Sequence, residues 1–389
     1  MYSRLACFAL SCLLVGGVAV GQPADSAPGY PRWYFEIVTA SPPADFTTPT
    51  AGQYLQNLHA VGRQDLHAAL PNRIVRPAPC EPWPSRADRA PQSIAAELAV
   101  LARDTTIVII NEAHDESRHR EVVRQLAVEL RREGYLYYAA ETLREAAASH
   151  PDEPFARLDA GHYSLEPSFG QLLRAVKELG YRPVAYEHDG NASPGGATNL
   201  QAEMARREQG QTDNLLRKIF TAEPQAKTLI HVGYSHAAEV ALPNFGGSLE
   251  WMAARLKAAT GIDPLTIDQV RCASATNAIE LARVAESLPA GAHDVAVAHP
   301  PTTLFRGRPQ WQIDAGAIPI ELPETLVVDD VRTLIEARYD SEPPDAIPLD
   351  RLLLGPGERL PLLLRPGSIR VTQSFEDERP TRSLVLVVR

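Results

Sequence analysis

The sequence predicts an α/β fold: a mostly parallel central sheet flanked by helices, with a Pro-rich N-terminal extension and a small β-rich C-terminal segment. Two observations lead to this fold class. From about residue 91 to residue 270, amphipathic helical patterns alternate with short apolar runs, which is typical of parallel βαβ units. The composition, 44% hydrophobic and 22% charged, is that of a globular protein and not of a disordered chain or a coiled coil.

The N-terminus indicates export. A single charge at Arg4, the uncharged run Leu5 to Val20 and small residues before Gln22 are typical of a cleaved signal peptide, and we expect a periplasmic or secreted protein. The predicted segments of the chain are the signal peptide (1–21), the Pro-rich extension (22–90), the α/β core (91–300) and the β-rich segment (301–389).

Periodicity and capping residues justify the elements of the core. Val122, Leu126 and Leu130 recur at the spacing of one helix face, and Gly134 suits the position after a helix end. The predicted core elements, in order, are helix 94–102, strand 105–110, helix 116–132, strand 135–140, helix 169–179, strand 182–186, helix 205–220, strand 228–232, helix 248–259, a strand near Leu265 and strand 294–298. Outside the core we expect a helical patch at 54–70 and strands at 352–354, 360–364 and 383–388.

Charge and hydropathy exclude two classes of partner. The formal net charge of −10 does not favour binding to nucleic acid or to an anionic membrane. Beyond the signal peptide, no stretch comes near the roughly 20 apolar residues of a membrane span, so we expect no stable membrane insertion. Cys80 and Cys272 remain after signal cleavage; in an oxidising compartment we expect a disulfide between them, with two free thiols as the alternative.

Acidic or imidazole side chains follow four predicted core strands directly. They are Glu112 and His114, Glu141, Glu187 and His188, and His236. Because ligands bind at the carboxyl edge of an open parallel sheet, these residues are expected to line one pocket, which His299 joins if its strand is parallel.

The run from Asn111 to Arg120 is the most specific part of this pattern. In extended backbone, residues two apart point the same way, so Glu112 and His114 can converge on one metal ion or one water molecule. His119 shares the helical spacing of the apolar residues, and it is either a hydrogen-bonded core histidine or a residue close to the site. Mixed carboxylate and imidazole groups suit Mn, Zn, Fe or Co, and equally the general-base activation of water.

These motifs resemble those of the ChaN/Tiki-like and erythromycin-esterase-like superfamily. The matching stretches are Glu112-Ala113-His114-Asp115, Tyr138-Ala139-Ala140-Glu141, Arg207-Glu208 running to Asp213-Asn214-Leu215, and His231-Val232-Gly233-Tyr234-Ser235-His236. The resemblance covers roughly residues 95–270 and departs from the family pattern at Asn111, where glycine is usual. It implies an α/β fold with a Glu/His pocket that hydrolyses an ester or peptide bond, with or without a metal, or that binds haem iron.

Taken together, the sequence predicts an exported hydrolase acting on a small-molecule or peptide substrate. The candidate catalytic residues and metal ligands are Glu112, His114, Glu141 and His236, with Arg207 stabilising an oxyanion or neutralising the carboxylates. His231, Glu187 and His188 are expected to support them. One alternative is a haem- or iron-binding protein that uses Tyr234, His236 or His119, and another is an inactive scaffold.

Overall fold

The computed structural model describes residues 30–37, 43, 49–70, 77–84, 93–150, 152–161, 163–188, 200–244 and 247–389. The predicted signal peptide lies outside the described residues. Within these ranges, every helix is too short or too polar to cross a bilayer.

Nine α-helices occur in the described part of the chain. They are α1 (Tyr30–Ile37), α2 (Pro49–Ala60), α3 (Gln64–Ala69), α4 (Ile94–Leu101), α5 (Arg118–Arg132), α6 (Pro167–Glu178), α7 (Leu200–Leu215), α8 (Met252–Thr260) and α9 (Gln310–Asp314). Local sequence explains where two of them begin. The Ser93 side chain accepts a hydrogen bond from the Ala96 amide at the start of α4, and Glu166 accepts one from the Phe169 amide at the start of α6.

The central sheet has seven strands. In chain order they are β1 (Ile107–Glu112), β2 (Tyr137–Ala140), β3 (Arg182–Ala185), β4 (Thr228–Gly233), β5 (Leu265–Asp268), β6 (Glu280–Ala282) and β7 (Val295–Ala298). Their order across the sheet is β6-β7-β5-β1-β4-β2-β3, and each neighbouring pair is parallel except β6 with β7. This confirms the predicted fold class.

Helices cover both faces of this sheet. On one face, α4, α5 and α6 contribute Leu98, Leu126 and Leu172 to the larger core, and on the other, α7 and α8 contribute Leu215 and Leu256. Helices on both faces bury both sides of the central strands, which explains why every residue of β1 and β4 is buried instead of every second one.

The C-terminal segment forms a second, antiparallel sheet. Its strands and those of a small adjoining pair are β8 (Ile318–Ile320), β9 (Thr333–Tyr339), β10 (Asp350–Leu354), β11 (Leu362–Leu364), β12 (Gly367–Phe375) and β13 (Arg382–Val388). The order β10-β9-β12-β13 makes the four-stranded sheet, and β8 pairs with β11.

Several contacts hold the N-terminal extension, and two of them illustrate how. The turn after α2 lies against β10, where a β-carbon on Gly62 (φ +72°) would lie 1.9 Å from the Arg351 carbonyl oxygen, so only glycine fits. Farther along the chain, Cys80 and Cys272 form a disulfide with an α-carbon separation of 5.4 Å, as predicted.

Some predicted element boundaries are wrong. The helix predicted from residue 248 begins at Met252, because Gly247–Leu249 instead pairs with Leu242–Asn244 in a short hairpin. Strands β9 and β12 were not predicted. β12 alternates apolar with polar residues in the manner of a half-buried strand, whereas β9 is buried along almost its whole length and carries buried Glu336 and Arg338, which hide its strand character in the sequence.

Candidate functional site

The carboxyl ends of the adjacent strands β1, β4 and β2 bring the central residues of the site together. Glu112 ends β1 opposite Gly233 at the end of β4, and Glu141 follows β2, where its amide donates to the His231 carbonyl oxygen. Parallel pairing alone therefore places two glutamates on either side of Gly233. Both carboxyl groups are almost fully buried.

Arg120 of α5 holds the Glu112 carboxylate. Its Nε and Nη2 donate to the two oxygens of Glu112 at 2.9 Å each, its Nη1 donates to Glu166 at 2.9 Å, and Nη2 also donates to the His114 carbonyl oxygen. Burial raises the pKa of Glu112, but Arg120 and His231 outweigh burial and hold that pKa well below its usual range. Glu112 is thus a fixed anion.

Two imidazoles flank this anion. His114 Nδ1 lies 3.0 Å from Glu112 Oε1, and His231 Nε2 lies 3.0 Å from Glu112 Oε2. His231 is fixed further by the Tyr138 hydroxyl, 2.9 Å from Nδ1, and by stacking on Phe169. His231 is therefore locked on three sides beneath Glu112.

Glu141 lies on the other side of Gly233. Its Oε2 accepts from the Gly233 amide at 2.6 Å, and its Oε1 accepts from Arg207 at 2.5 Å. Burial raises the pKa of Glu141, but His236 and Arg207 outweigh it and lower that pKa far below the usual range. Arg207 also donates to Glu187, so this guanidinium neutralises two carboxylates.

The space above Gly233 is where His114 and Glu141 meet. A β-carbon on Gly233 would lie 2.6 Å from His114 Nε2 and 3.0 Å from Glu141 Oε2. Any larger residue at this position would displace the imidazole.

His236 forms a second histidine–glutamate pair. It lies in a 3₁₀ turn after β4, and its Nδ1 is 2.9 Å from Glu208 of α7, a carboxylate with no exposed surface that also accepts from the Met252 amide. Its Nε2 lies 3.2 Å from Arg207 Nη1 and 3.7 Å from Glu141 Oε1. Burial lowers the pKa of His236, but Glu208 and Glu141 outweigh burial and raise it.

Asn111, which departs from the family pattern, ties three strand ends together. Its side-chain nitrogen donates to the Tyr234 carbonyl oxygen and to Asp268, each at 2.7 Å, and its oxygen accepts from the Gln269 amide. Tyr234 has a φ of +42°, an unusual conformation for a tyrosine that this bond supports. Its ring edge faces His114, with ring centroids 5.1 Å apart.

The other predicted site residues lie farther from this centre. Glu187 reaches it through Arg207, but the His188 side chain is exposed and packs outside α7 against Gly210, so the prediction that His188 supports the site is wrong. The ring of His119 accepts from the Ala113 amide and packs on His299, and burial lowers the pKa of His119 to about 4. Since β7 is parallel to β5, His299 does lie on the carboxyl edge.

The predicted metal ligands are not arranged as a metal site. The described residues contain no group of three or more His, Cys, Asp or Glu side chains placed to hold a metal ion. Both oxygens of Glu112 and both of Glu141 already accept hydrogen bonds from arginine or backbone donors. The donor set as arranged does not fit a divalent ion.

The candidate haem ligands also have separate partners. The Tyr234 hydroxyl lies 3.4 Å from Asp115, His236 is paired with Glu208, and His119 is bonded to the Ala113 amide. Haem binding stays a prediction that titration with haemin would test.

Sequence reasoning missed three charged residues that surround the predicted ones. Arg120 and Glu208 lie inside amphipathic helices, where a charged residue ordinarily faces water, and Glu166 resembles a plain helix cap. Two signals were available: Glu208 belongs to the Arg207-Glu208 motif, and Arg120 lies eight residues after Glu112, next to the inward-facing His119.

Comparisons with known proteins return structures but no family. No protein-family model and no curated protein matches the chain. RRSP, a MARTX toxin effector domain from Vibrio vulnificus, is 16% identical over 54% of this chain and 38% of its own, with a TM-score of 0.34. The type III effector HopBA1 is 14% identical over 56% of this chain and 99% of its own, with a TM-score of 0.35.

A third similar structure is the C-terminal region of Pasteurella multocida toxin, described as carrying a thiol-protease-like catalytic triad. It is 11% identical over 72% of this chain and 46% of its own, with a TM-score of 0.36. The chain spans 39% and 38% of the length of the two bacterial toxin structures that match first. At these TM-scores the likeness assigns no residue role and no activity to this chain.

Proposed function

We propose that the chain is a hydrolase that cleaves an ester or amide bond without a metal ion, with His114 as general base and His236 as general acid. One observation carries the proposal. Each imidazole has Nδ1 on a buried glutamate, and each has Nε2 beside Glu141. A carboxylate that holds one ring nitrogen fixes the tautomer and directs the other nitrogen at the reaction.

The assignment of the base follows from Glu112. Because Arg120 keeps Glu112 ionised, its carboxylate accepts the Nδ1 proton of His114 and places the basic lone pair on Nε2. That atom lies near Glu141, and a water molecule admitted with the substrate and bound by Glu141 would be within reach of it. His114 is therefore the residue suited to take a proton from water.

The assignment of the acid follows from the charge around His236. Its raised pKa favours the imidazolium, whose Nε2 proton would face Glu141. A guanidinium only donates, so the contact of Arg207 with Nε2 suits the neutral imidazole that remains after the proton has left. The contact of His236 Nε2 with Glu141 thus suits the protonated acid, and its contact with Arg207 suits the deprotonated form.

In the proposed reaction, the water oxygen attacks the carbonyl carbon while His114 takes one water proton. The bond to the leaving oxygen or nitrogen then breaks, and His236 supplies the proton that this atom needs. The products are a carboxylic acid and an alcohol or amine. His114 then gives its proton to solvent and His236 takes one from solvent, which restores the starting protonation of both histidines.

Substrate is expected to approach from α7. The side chains of Arg207 and Glu187 are 18% and 30% exposed, whereas those of Glu112, His114, Glu141 and His236 are at most 6% exposed. Displacing Arg207 would uncover His236 and Glu141 together. We therefore propose that a small-molecule or peptide substrate enters at this guanidinium.

Two further features support the proposal. The motifs resemble those of the ChaN/Tiki-like and erythromycin-esterase-like superfamily, and some members of that superfamily hydrolyse esters or peptides. The Cys80–Cys272 disulfide suits an oxidising compartment, which favours the predicted export.

A panel of chromogenic esters and a peptide library test the proposal with purified protein. His114→Ala and His236→Ala should each lose about 10²–10⁴-fold in kcat/KM, with thermal unfolding showing that the fold is kept. His188→Ala is the matched control, because this exposed histidine lies outside α7, and it should retain wild-type rates.

Three outcomes would contradict the proposal. If neither panel is hydrolysed, or if the two histidine variants match the wild type, the hydrolase assignment fails. If EDTA removes activity and a divalent metal restores it, the metal-free part of the mechanism fails.

A further inference from the structure

A buried chain of polar side chains joins the N-terminal extension to the loop that carries His114. The Ser117 hydroxyl lies 2.8 Å from His59 Nδ1, His59 Nε2 lies 2.6 Å from His67 Nδ1, and His67 Nε2 lies 3.8 Å from the Asp115 carboxylate. The other Asp115 oxygen is 3.4 Å from the Tyr234 hydroxyl. Ser117, His59, His67 and Asp115 are all more than nine-tenths buried.

The hydrogen-bond donors in this buried series of side chains all point in the same direction, from Ser117 towards Asp115. His59 Nδ1 faces both the hydroxyl and, at 3.5 Å, the backbone amide of Ser117, and an amide can only donate, so the proton of His59 is on Nε2. It is donated to His67 Nδ1, which places the proton of His67 on Nε2, facing Asp115. One pair of tautomers fits both hydrogen bonds, and it leaves the Nε2 proton of His67 at 3.8 Å from the Asp115 carboxylate, an electrostatic contact longer than a hydrogen bond.

The Asp115 end of this buried series lies close to His114. Asp115 is the next residue along the backbone, and Tyr234, which Asp115 holds, packs its ring edge against the His114 imidazole. A second ring, that of Tyr163, lies 4.2 Å from the same imidazole between centroids, and helix α2, which carries His59, packs against the turn Tyr163–Leu165. The extension therefore contacts the surroundings of both aromatic rings that pack against His114.

We infer that His59 and His67 are positioning residues for His114, so that the N-terminal extension completes the site; this inference rests on the proposed function. Nothing in packing requires two adjacent buried imidazoles in this position, since an apolar pair would remove their desolvation cost. Their placement is explained if the pair fixes Asp115 and Tyr234 and, through them, the orientation of the base.

Two substitutions at His67 separate its two contacts. His67→Asn places an amide near the position of Nδ1 and can still accept from His59, but it cannot reach Asp115. His67→Gln places an amide near the position of Nε2 and keeps an N–H group facing the Asp115 carboxylate. If the link to Asp115 matters, His67→Asn should lower kcat about 10–100-fold with KM unchanged, whereas His67→Gln should stay close to wild type.

A readout that needs no substrate keeps this inference separate from the proposed function. In ¹⁵N-histidine spectra of the full chain, His114 of the wild type should carry its proton on Nδ1, and His59 and His67 should carry theirs on Nε2. His67→Asn should change the tautomer populations of His114, and His67→Gln should not.

The outcomes are distinguishable. If wild-type protein hydrolyses nothing but the His114 signals respond to His67→Asn, the proposed function fails and the positioning role stands. If His67→Asn folds like the wild type and leaves both the His114 signals and kcat unchanged, the positioning role is overturned and the histidine pair is structural. Thermal unfolding of both variants shows which of them are folded.

Discussion

Removing the guanidinium of Arg120 is the sharpest perturbation that the site offers. Arg120→Met keeps much of the side-chain volume but deletes three hydrogen bonds to Glu112 and Glu166 and one to the His114 carbonyl oxygen, all at 2.9 Å. The Glu112 carboxylate has no exposed surface and would lose its bidentate partner. Breaking a buried pair from one side typically costs about 3–5 kcal/mol, and we expect the free energy of unfolding to fall by that amount.

The loss should depend on pH in a defined direction. The pKa of Glu112 is held low because Arg120 and His231 outweigh burial, and a lowered pKa contributes stability that is present above the unfolded pKa and is lost as the pH falls through the folded one. In the variant, burial remains and the guanidinium is gone, so the pKa of Glu112 rises. Because the variant can then take up a proton, its deficit should be larger at about pH 8 than at about pH 5.

Urea unfolding followed by circular dichroism at both pH values measures this. Arg120→Lys is the control: it keeps the charge but loses the bidentate geometry, and it should cost about 1.5–3 kcal/mol. A loss below about 1 kcal/mol for Arg120→Met, or an equal loss at the two pH values, would refute the argument that this guanidinium compensates a buried carboxylate.

Three further predictions concern the site and the disulfide. Gly233→Ala forces a β-carbon to within 2.6 Å of His114 Nε2, so it should reduce kcat more than tenfold and cost about 1–3 kcal/mol; unchanged kinetics would contradict this geometry. Denatured, unreduced protein without residues 1–21 should contain no free thiol, and changing both Cys80 and Cys272 to serine should cost up to roughly 5 kcal/mol, read from the urea midpoint. Because neighbouring carboxylates outweigh burial and raise the pKa of His236, the alkaline limb of the kcat–pH profile should have its midpoint above about pH 6.5, and an alkaline midpoint below that value would show that His236 is not the acid.

The fold was largely predictable because the core strands contain short, mostly apolar runs that alternate with amphipathic helices. Ile107–Glu112 illustrates this: every residue of the strand is buried, as the run implies, and the glutamate that ends it lies on the carboxyl edge. The N-terminal extension was less predictable. Its helices were visible only as one patch from Tyr54 to Leu70, and nothing in that patch indicated that His59 and His67 reach the loop after β1.

The clustering of the central candidate residues could be predicted, but their counter-charges could not. Glu112, Glu141 and His236 were grouped because the carboxyl ends of parallel strands share one edge of a sheet, and β1, β4 and β2 are neighbours there. Arg120 and Glu208 could not, because their role depends on how far each helix is rotated about its axis, and a charge beside the apolar stripe is compatible with water as well as with a buried partner.

The two halves of the site differ in how much chain separates their partners. Arg120, the partner of Glu112, follows it by only eight residues, whereas Arg207, the partner of Glu141, follows it by 66 residues. At a synthesis rate of about 5–20 residues per second, that gap is roughly 3–13 s during which a growing chain already contains Glu141 without its counter-ion. The first carboxylate can therefore meet its partner as soon as α5 forms, while β2 can pair with β4 only after residues 228–233 have been made.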